Sequence, residues 1–288
     1  MKQNSLALFL AGLMIITLAC GGAAPTSAPD QTKLETVVAA TLQAVTQEAG
    51  NNPAQPEGVS VAFQNVSLIV PNGLASGASS EMIPAADESD GGPWGVSPEY
   101  IEFVLTNYSP KDDHFQPVVR IYPAQEYAEV NPWAQGSIEK LQAILASPSM
   151  PLTNENLSTI PFNGAAAQQY AAQAKLLSFQ NGNGVRMISQ YGQFPGPIVK
   201  NLSYYHYEGL TSDGKYLVAV MMPLVLPLQS TAENPSADGV TYPSDISDVN
   251  GLNAYFQGIT DLLNAASADS FQPNLTLLDA LVQSIFIQ

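Results

Sequence analysis

Few side chains in this 288-residue sequence are of the types that most often carry catalysis or bind metals. The chain has a single cysteine, Cys20, and two histidines, His114 and His206. A structural zinc site needs four ligands, so these counts exclude one built from cysteine and histidine alone. They also limit catalysis that depends on a histidine base. Carboxylates are the remaining catalytic groups, but the spacing of the 25 aspartates and glutamates singles out no pair.

Two acidic segments match metal-binding patterns in part, and in both a simpler role fits better. The run Asp112-Asp113-His114 has no further ligand placed by spacing, which favours a solvated loop. Near Asp248 a calcium-loop pattern begins, but Ile246 and Gln257 stand at its first and twelfth ligand positions. Asp248 is therefore predicted to cap a helix. The sequence also lacks phosphate-binding glycine loops and a nucleophile elbow, and it predicts no metal and no cofactor.

The candidate binding residues are three aromatic side chains and one histidine. Tyr204 and His206 alternate on one face of a strand predicted over Asn201 to Gly209. One face of that strand is expected to be more exposed and to contact a ligand; the alternative is that its aromatic residues cover the sheet inside the core. Trp94 and Trp133 lie beside prolines in loop-like segments. There a tryptophan either stacks on a sugar or a partner, or anchors the loop to the core.

The overall charge excludes two classes of partner. Nine lysines and arginines against 25 acidic residues give a formal net charge of -16. Binding to a polyanion depends on clustered cationic side chains, so nucleic acid is excluded as a partner. A polybasic contact with anionic lipid is excluded for the same reason.

The N-terminal 22 residues carry the most specific signal in the sequence. Lys2 precedes an uncharged stretch from Leu6 to Ala19, which is too short to span a bilayer as a helix and is followed by Cys20. These residues resemble the signal peptide of a bacterial lipoprotein, whose lipobox ends in a small residue and an obligatory cysteine. Here the lipobox reads Thr17-Leu18-Ala19-Cys20, with Thr17 where the family prefers leucine.

The resemblance implies export, cleavage after Ala19 and lipidation of Cys20. The body would then be anchored to the bacterial cell membrane on its extracytoplasmic side, because several acyl chains together give stable anchoring. The alternative is an uncleaved signal anchor from Leu6 to Ala24, since no charge appears before Asp30. With only one cysteine, an exported body has no disulfide.

Composition divides the rest of the chain into a tether, residues 20–57, and a body. Gly21 to Pro29 is small, polar and flexible in character. Residues 31–49 repeat apolar side chains at helical spacing and predict an amphipathic helix, which is either a stalk, a helix packed on the body or a short self-associating coil. Gly50 to Gly58 is a linker, and residues 58–288 are predicted to form a single globular domain.

The first half of the body alternates apolar and polar residues at the period of β-strands. The alternation changes parity near Gln64-Asn65, which predicts a bulge between Val59 and Val70. Turn residues at 181–184 and 211–214 predict a four-stranded antiparallel meander between residues 168 and 225. Further strands are predicted over 99–108 and 116–122, and residues 71–98 are predicted to be a loop.

Helices are predicted over 137–146, with Ser137 as the cap, and over 251–266 and 275–285. Grouped strands followed by grouped helices indicate an α+β fold, because a parallel sheet would need helical crossovers between its strands. The predicted architecture is an antiparallel meander sheet of about seven strands with helices packed on it.

Two functional hypotheses remain at this point. In the first, a noncatalytic lipoprotein of the envelope or cell surface binds another protein or an envelope polymer. In the second, a lipid-anchored extracellular hydrolase acts through carboxylates. The lack of catalytic motifs favours the first, and convergence of carboxylates and aromatic side chains in one pocket would distinguish them.

Overall fold

The computed structural model describes residues 56–112, 115–157, 159–161, 164, 166–236 and 238–288. The expected signal peptide, Cys20 and the helix over 31–49 lie outside these residues, as do Asp113 and His114. The strands are β1 Gly58–Phe63, β2 Val66–Pro71, β3 Gly77–Ile83, β4 Tyr100–Thr106, β5 Val118–Pro123, β6 Ala167–Gln168, β7 Ala172–Phe179, β8 Gly182–Ser189, β9 Tyr191–Gly192, β10 Ser203–Thr211, β11 Tyr216–Leu224 and β12 Phe286–Ile287. The helices are α1 Glu88–Gly91, α2 Ala124–Val130, α3 Pro132–Ala146, α4 Val249–Ala265 and α5 Leu275–Ser284, with a 3₁₀ turn at Ala268–Ser270.

Seven strands form one sheet in the order β3-β4-β5-β11-β10-β8-β7. All of its neighbouring pairs are antiparallel. Together with the helices packed on it, this sheet confirms the predicted α+β fold. The predicted meander is confirmed as well, because β7, β8, β10 and β11 lie side by side in chain order.

Helices cover both faces of the centre of the sheet. All nine residues of β10 are buried. On one face, Tyr205, Tyr207 and Val218 join a core cluster with residues of α4, α5 and β2. On the opposite face, Leu217 and Ala219 join a second cluster with residues of α2 and α3. We call this second face the α3 face, and it carries the candidate site.

The first two strands form a hairpin, so the predicted bulge near Gln64-Asn65 is wrong. β1 and β2 pair from Gly58 opposite Pro71 to Phe63 opposite Val66, and Gln64-Asn65 is the turn between them. Gln64 has a φ of 53°, a backbone conformation that tight turns require. A two-residue turn changes the parity of the alternation just as a bulge would, so the sequence alone did not separate the two structures. The hairpin belongs to a separate sheet of order β1-β2-β12.

The hairpin between β7 and β8 turns earlier than the run Asn181-Gly182-Asn183-Gly184 predicts. Its two-residue turn is Gln180-Asn181, and both glycines lie in β8. A Cβ atom at Gly182 would clash with the ring of Phe179. The glycines therefore serve the close approach of neighbouring groups rather than the turn itself. The second predicted turn is confirmed, because β10 ends at Thr211 and β11 begins at Tyr216.

The segment 71–98, predicted to be a loop, contains β3 and α1. β3 is an edge strand with no fully buried residue, so it carries no clear alternation of apolar and polar side chains. The short helix α1 is capped by the carboxylate of Asp87. Neither element therefore has the periodic pattern on which the sequence prediction depended.

The first long helix begins five residues earlier than predicted. α3 starts at Pro132 and is capped by Asn131, whereas Ser137 is buried within the helix and donates a hydrogen bond to the carbonyl of Thr159. Proline at the first helical position suits its fixed φ, which explains why the helix can begin there. The short helix α2, directly before it, was not predicted.

The two C-terminal helices are confirmed within two residues at each end. Asp248 caps α4, as predicted, because its side chain accepts a hydrogen bond of 2.9 Å from the backbone N–H of Gly251. Among the described residues, no helix is both long enough and apolar enough to cross a membrane.

Candidate functional site

A cavity of about 190 Å³ opens on the α3 face, beside β4 and β5. Its aromatic lining consists of Trp94, Tyr100, Tyr122 and Tyr127. The other lining residues are Gly95, Ser97, Arg120, Ile160, Pro161 and Gly164. Strands therefore supply the floor, α2 supplies Tyr127, and two loops supply the remaining walls.

Arg120, which lines the floor of the cavity, is part of an ion pair. Glu102 and Arg120 are directly opposite each other on β4 and β5, and the guanidinium Nε donates to the carboxylate Oε2 over 2.7 Å. The guanidinium also lies over the ring of Tyr100, 5.5 Å from its centroid. Because the positive charge is matched by a carboxylate, the floor presents polar groups without a net charge.

Three tyrosine rings form a continuous wall next to this pair. The centroids of Tyr100 and Tyr122 are 4.5 Å apart, and those of Tyr122 and Tyr127 are 4.4 Å apart. These are distances at which aromatic rings attract one another. Since Tyr122 and Tyr127 are buried in the second core cluster, the wall is held rigidly against the sheet.

All three phenols of this wall stay neutral near pH 7. Burial raises the pKa of Tyr122 well above 10.0, although the Arg120 guanidinium opposes part of that shift. Burial also raises the pKa of Tyr100, and it raises that of Tyr127 with a further contribution from the charge of Glu208. The hydroxyl groups can thus donate and accept hydrogen bonds without carrying charge.

A pair of tryptophans stands at the edge of the cavity. The rings of Trp94 and Trp133 are nearly parallel, with an angle of 8° between their planes and 6.0 Å between their centroids. Trp94 lines the cavity, whereas Trp133, near the start of α3, is 50% exposed. The structure therefore brings together two residues that are 39 positions apart in the sequence.

A buried polar chain runs behind the cavity on the same face. His206 Nδ1 shares a hydrogen bond with the hydroxyl of Tyr191, and His206 Nε2 lies 3.1 Å from Glu208 Oε1. The same carboxylate oxygen accepts a hydrogen bond from the backbone N–H of Ile160, which lines the cavity. These hydrogen bonds hold the loop at Ile160, which forms part of the cavity wall, against strand β10 of the sheet. Glu208 Oε2 is buried without a hydrogen-bond partner among the described residues.

The expectation of an exposed face for the strand carrying Tyr204 and His206 is wrong. His206 is 0% exposed and Tyr204 is 5% exposed. Tyr204 packs edge-on against Phe115 and donates to the carboxylate of Asp112 over 3.0 Å. The strand is the fifth of seven in the sheet, so packed groups cover both of its faces. Tyr204 and His206 therefore lie beneath the protein surface, whereas Trp94 and Trp133 are partly or largely exposed.

Sequence reasoning missed Tyr100, Arg120, Tyr122 and Tyr127. Arg120 and Tyr122 are two residues apart within a predicted strand, so they share a face, and that spacing was the available signal. Nothing in the sequence indicated that α2 would place Tyr127 over the same face.

Asp112, which was considered as a metal ligand, also accepts a hydrogen bond from the backbone of Phe115. Within the described residues, no group of three or more metal-binding side chains occurs.

Two carboxylates of this face, those of Glu102 and Glu208, belong to strands that are well separated in the sheet. Glu102 and Glu208 lie in one row across the sheet, with Arg120 and Ala219 between them. Three steps of ~4.8 Å separate their backbones by about 14 Å. Each of the two is also bonded to a different partner, Glu102 to Arg120 and Glu208 to His206.

Comparisons with protein-family models, with curated proteins and with solved structures gave no match to this chain.

Proposed function

We propose that this protein is a noncatalytic lipoprotein of the bacterial envelope that binds a neutral sugar residue of an envelope polymer in the cavity of the α3 face. The observation that carries the proposal is the combination of an aromatic wall with a charge-balanced polar floor. Sugar rings have apolar C–H faces that stack on aromatic rings, and their hydroxyl groups need both donors and acceptors. Tyr100, Tyr122 and Trp94 offer the aromatic surface, and the tyrosine hydroxyls and Arg120, whose charge Glu102 balances, offer the polar groups.

The size of the cavity favours a single ring. A cavity of ~150 Å³ holds one benzene molecule, so about 190 Å³ accommodates one six-membered ring with substituents. Pockets for drug-sized ligands are larger, at ~300–1,000 Å³. The ligand portion that enters is therefore one sugar residue rather than a folded peptide.

The charges favour a neutral ligand. The guanidinium of Arg120 is already paired with Glu102, and the tyrosines beside them are uncharged. The formal net charge of -16 further disfavours the approach of an anionic polymer. A cationic ligand would meet the guanidinium that already lies over Tyr100.

The engagement of Glu102 with Arg120 and of Glu208 with His206 supports binding over hydrolysis, which was the alternative. Export and lipidation at Cys20 would place the cavity on the extracytoplasmic side, where envelope polymers lie. That part of the proposal rests on the resemblance of residues 1–22 to a lipoprotein signal peptide.

The proposal is tested by calorimetric titration of the full chain in detergent with the methyl glycosides of glucose, galactose, mannose and N-acetylglucosamine. At ~0.3 kcal/mol per non-hydrogen atom, a glycoside of about 13 such atoms binds with a Kd of about 1 mM. Tyr100→Leu removes partly exposed ring surface from the wall, and we expect it to weaken binding by about fivefold or more.

Tyr216→Leu is the matched control, because Tyr216 is also partly buried but packs against the opposite face of the sheet. It should leave the Kd unchanged. The proposal is wrong if none of the four glycosides binds, or if Tyr100→Leu and Tyr216→Leu have equal effects. Saccharide turnover that disappears in Glu102→Gln or Glu208→Gln would establish the hydrolase instead.

A further inference from the structure

The exposed tryptophan beside the cavity has no role in the core. Half of the surface of Trp133 is open to solvent, and its ring does not belong to any of the buried clusters. Its ring contact is the parallel stack on Trp94, whose own side chain lines the cavity. The aromatic surface therefore continues from the inside of the cavity onto the outside of the protein.

One buried residue fixes both tryptophans in place. The side-chain nitrogen of Asn131 donates to the carbonyls of Trp94 and Val96 over 3.2 and 2.9 Å. Its side-chain oxygen accepts from the backbone N–H groups of Trp133 and Ala134 over 3.0 and 3.1 Å. Both donors and both lone pairs of the amide are used, and Asn131 is 0% exposed.

This arrangement orders the backbone that carries the two stacked rings before any ligand arrives. A binding surface that is already ordered avoids the entropy cost of immobilising side chains on association. A buried amide with four hydrogen bonds is more than a helix cap needs, since one acceptor is sufficient for capping. The second pair of bonds holds the loop that carries Trp94 to the start of the helix that carries Trp133.

We infer that Trp133 is a second sugar subsite, and that the ligand is a linear saccharide of at least two units. Its end residue enters the cavity, and the next residue stacks on the open face of Trp133. This inference rests on the proposed function, because it takes the cavity as the first subsite. Val130, at 46% exposure, is the nearest exposed large hydrophobic residue in the sequence. Two such side chains fall far short of the ~1,000 Å² that a stable protein interface buries.

The test compares saccharides of one to four units with the full chain in detergent. The probes are three series, of β-1,4-linked glucose, α-1,4-linked glucose and β-1,4-linked N-acetylglucosamine, measured by calorimetry. For the series that fits the site, we expect the Kd to fall by about fivefold to tenfold between one and two units. Beyond two units it should change little.

Three variants test whether the affinity gained from the second sugar unit depends on the ring of Trp133. Trp133→Ala should abolish the gain in affinity that the unmodified protein shows between one and two units. Trp133→Phe keeps an aromatic face and should retain part of the gain. Val130→Ala, a change of an exposed apolar residue at the end of α2, should retain all of it.

Failure of this inference is distinguishable from failure of the proposed function. Equal Kd values for one and two units in the unmodified protein, or a gain that survives in Trp133→Ala, would overturn the second subsite and leave the cavity as the binding site. Absence of binding for saccharides of every length would overturn both. If Trp133→Ala and Val130→Ala both lost the affinity gained from the second unit to the same extent, this would also contradict a specific role for the Trp133 ring.

Discussion

Among the single residues, the pairing of Arg120 with Glu102 determines the charge of the cavity. The two side chains are only 25% and 12% exposed, so solvent screens them less than it screens a surface pair. Arginine keeps its charge at any relevant pH, so the carboxylate is what makes the floor neutral. A change at Glu102 should therefore alter which ligands bind rather than only how strongly they bind.

We predict that Glu102→Gln shifts the preference of the cavity from neutral to anionic sugars. The unmatched guanidinium should strengthen binding of methyl glucuronide relative to methyl glucoside by about tenfold. Loss of the partly buried ion pair should lower the free energy of unfolding by about 1 kcal/mol. Parallel titrations and urea unfolding measure the two effects. Glu99→Gln, at an exposed carboxylate just before β4, should leave the ratio unchanged, and an equal ratio in both variants would contradict the role given to Glu102.

Among individual residues, the sequence identified the exposed aromatic side chains better than the buried ones. Trp94 and Trp133 were selected by type and context, and the structure places them together at the cavity. His206 and Tyr204 were selected by alternation, which shows that two side chains share a face but not whether other groups cover that face. Arg120 and Tyr100 were missed because they are neighbours only through strand pairing.

Among the elements, Asn131 joins the start of α3 to the loop at Trp94. We predict that Asn131→Ala lowers the free energy of unfolding by about 2–3 kcal/mol, because it removes a cap worth ~1 kcal/mol and leaves two partly buried carbonyls without donors. Asn274→Ala is the matched control, since the side chain of Asn274 caps α5 by accepting a hydrogen bond from the backbone N–H of Thr276. This variant should lower the free energy of unfolding, measured by urea denaturation, by about 1 kcal/mol. An equal loss of unfolding free energy in the two variants would mean that Asn131 only caps α3.

A second junction between elements is the carboxylate of Asp279 on α5. It lies 2.7 Å from Lys175 Nζ and 3.3 Å from Arg186 Nε, and it accepts from the hydroxyl of Tyr205 over 2.9 Å. The side chain of Arg186 is only 4% exposed. Removing the carboxylate would leave that guanidinium buried without its counter-charge.

We predict that Asp279→Ala lowers the free energy of unfolding by about 3–5 kcal/mol, because a buried charge loses its partner. The double variant Asp279→Leu with Arg186→Met removes both charges and should recover most of that loss. Asp261→Ala, on the exposed side of α4, should change the stability by less than ~0.5 kcal/mol. A double variant less stable than Asp279→Ala would show that the ion pair itself stabilises the fold.

Element type was predictable wherever the pattern was periodic and the turn chemistry unambiguous. β4, β5, α4 and α5 were confirmed because their apolar residues follow the period of a strand or a helix. β3 escaped prediction because an edge strand needs few apolar residues. The start of α3 was misplaced because Asn131 and Ser137 are both acceptable caps by type, and the sequence does not show that Ser137 instead bonds to the carbonyl of Thr159 from within the helix.

For the whole molecule, the proposal requires that the body is held at a membrane. We predict that membrane-extracted protein lacks residues 1–19 and carries added acyl mass on Cys20, which intact-mass measurement would detect. Cys20→Ser should show neither change, because the sulfur that receives the lipid is gone. Thr17→Leu introduces the preferred lipobox residue and should be processed like the unmodified chain. A Cys20→Ser protein that is still cleaved and membrane-bound would contradict lipid anchoring.

The central claim is that a sugar residue lies between the tyrosine wall and Trp94, above the Arg120–Glu102 pair. The most direct test is a crystal structure of the protein in complex with the saccharide that binds most tightly in the titrations. The account predicts one sugar ring inside the cavity, stacked on aromatic side chains, with its hydroxyl groups bonded to Arg120 and the tyrosine hydroxyls, and the next ring on Trp133. A saccharide bound at another surface, with the cavity filled by water alone, would contradict it.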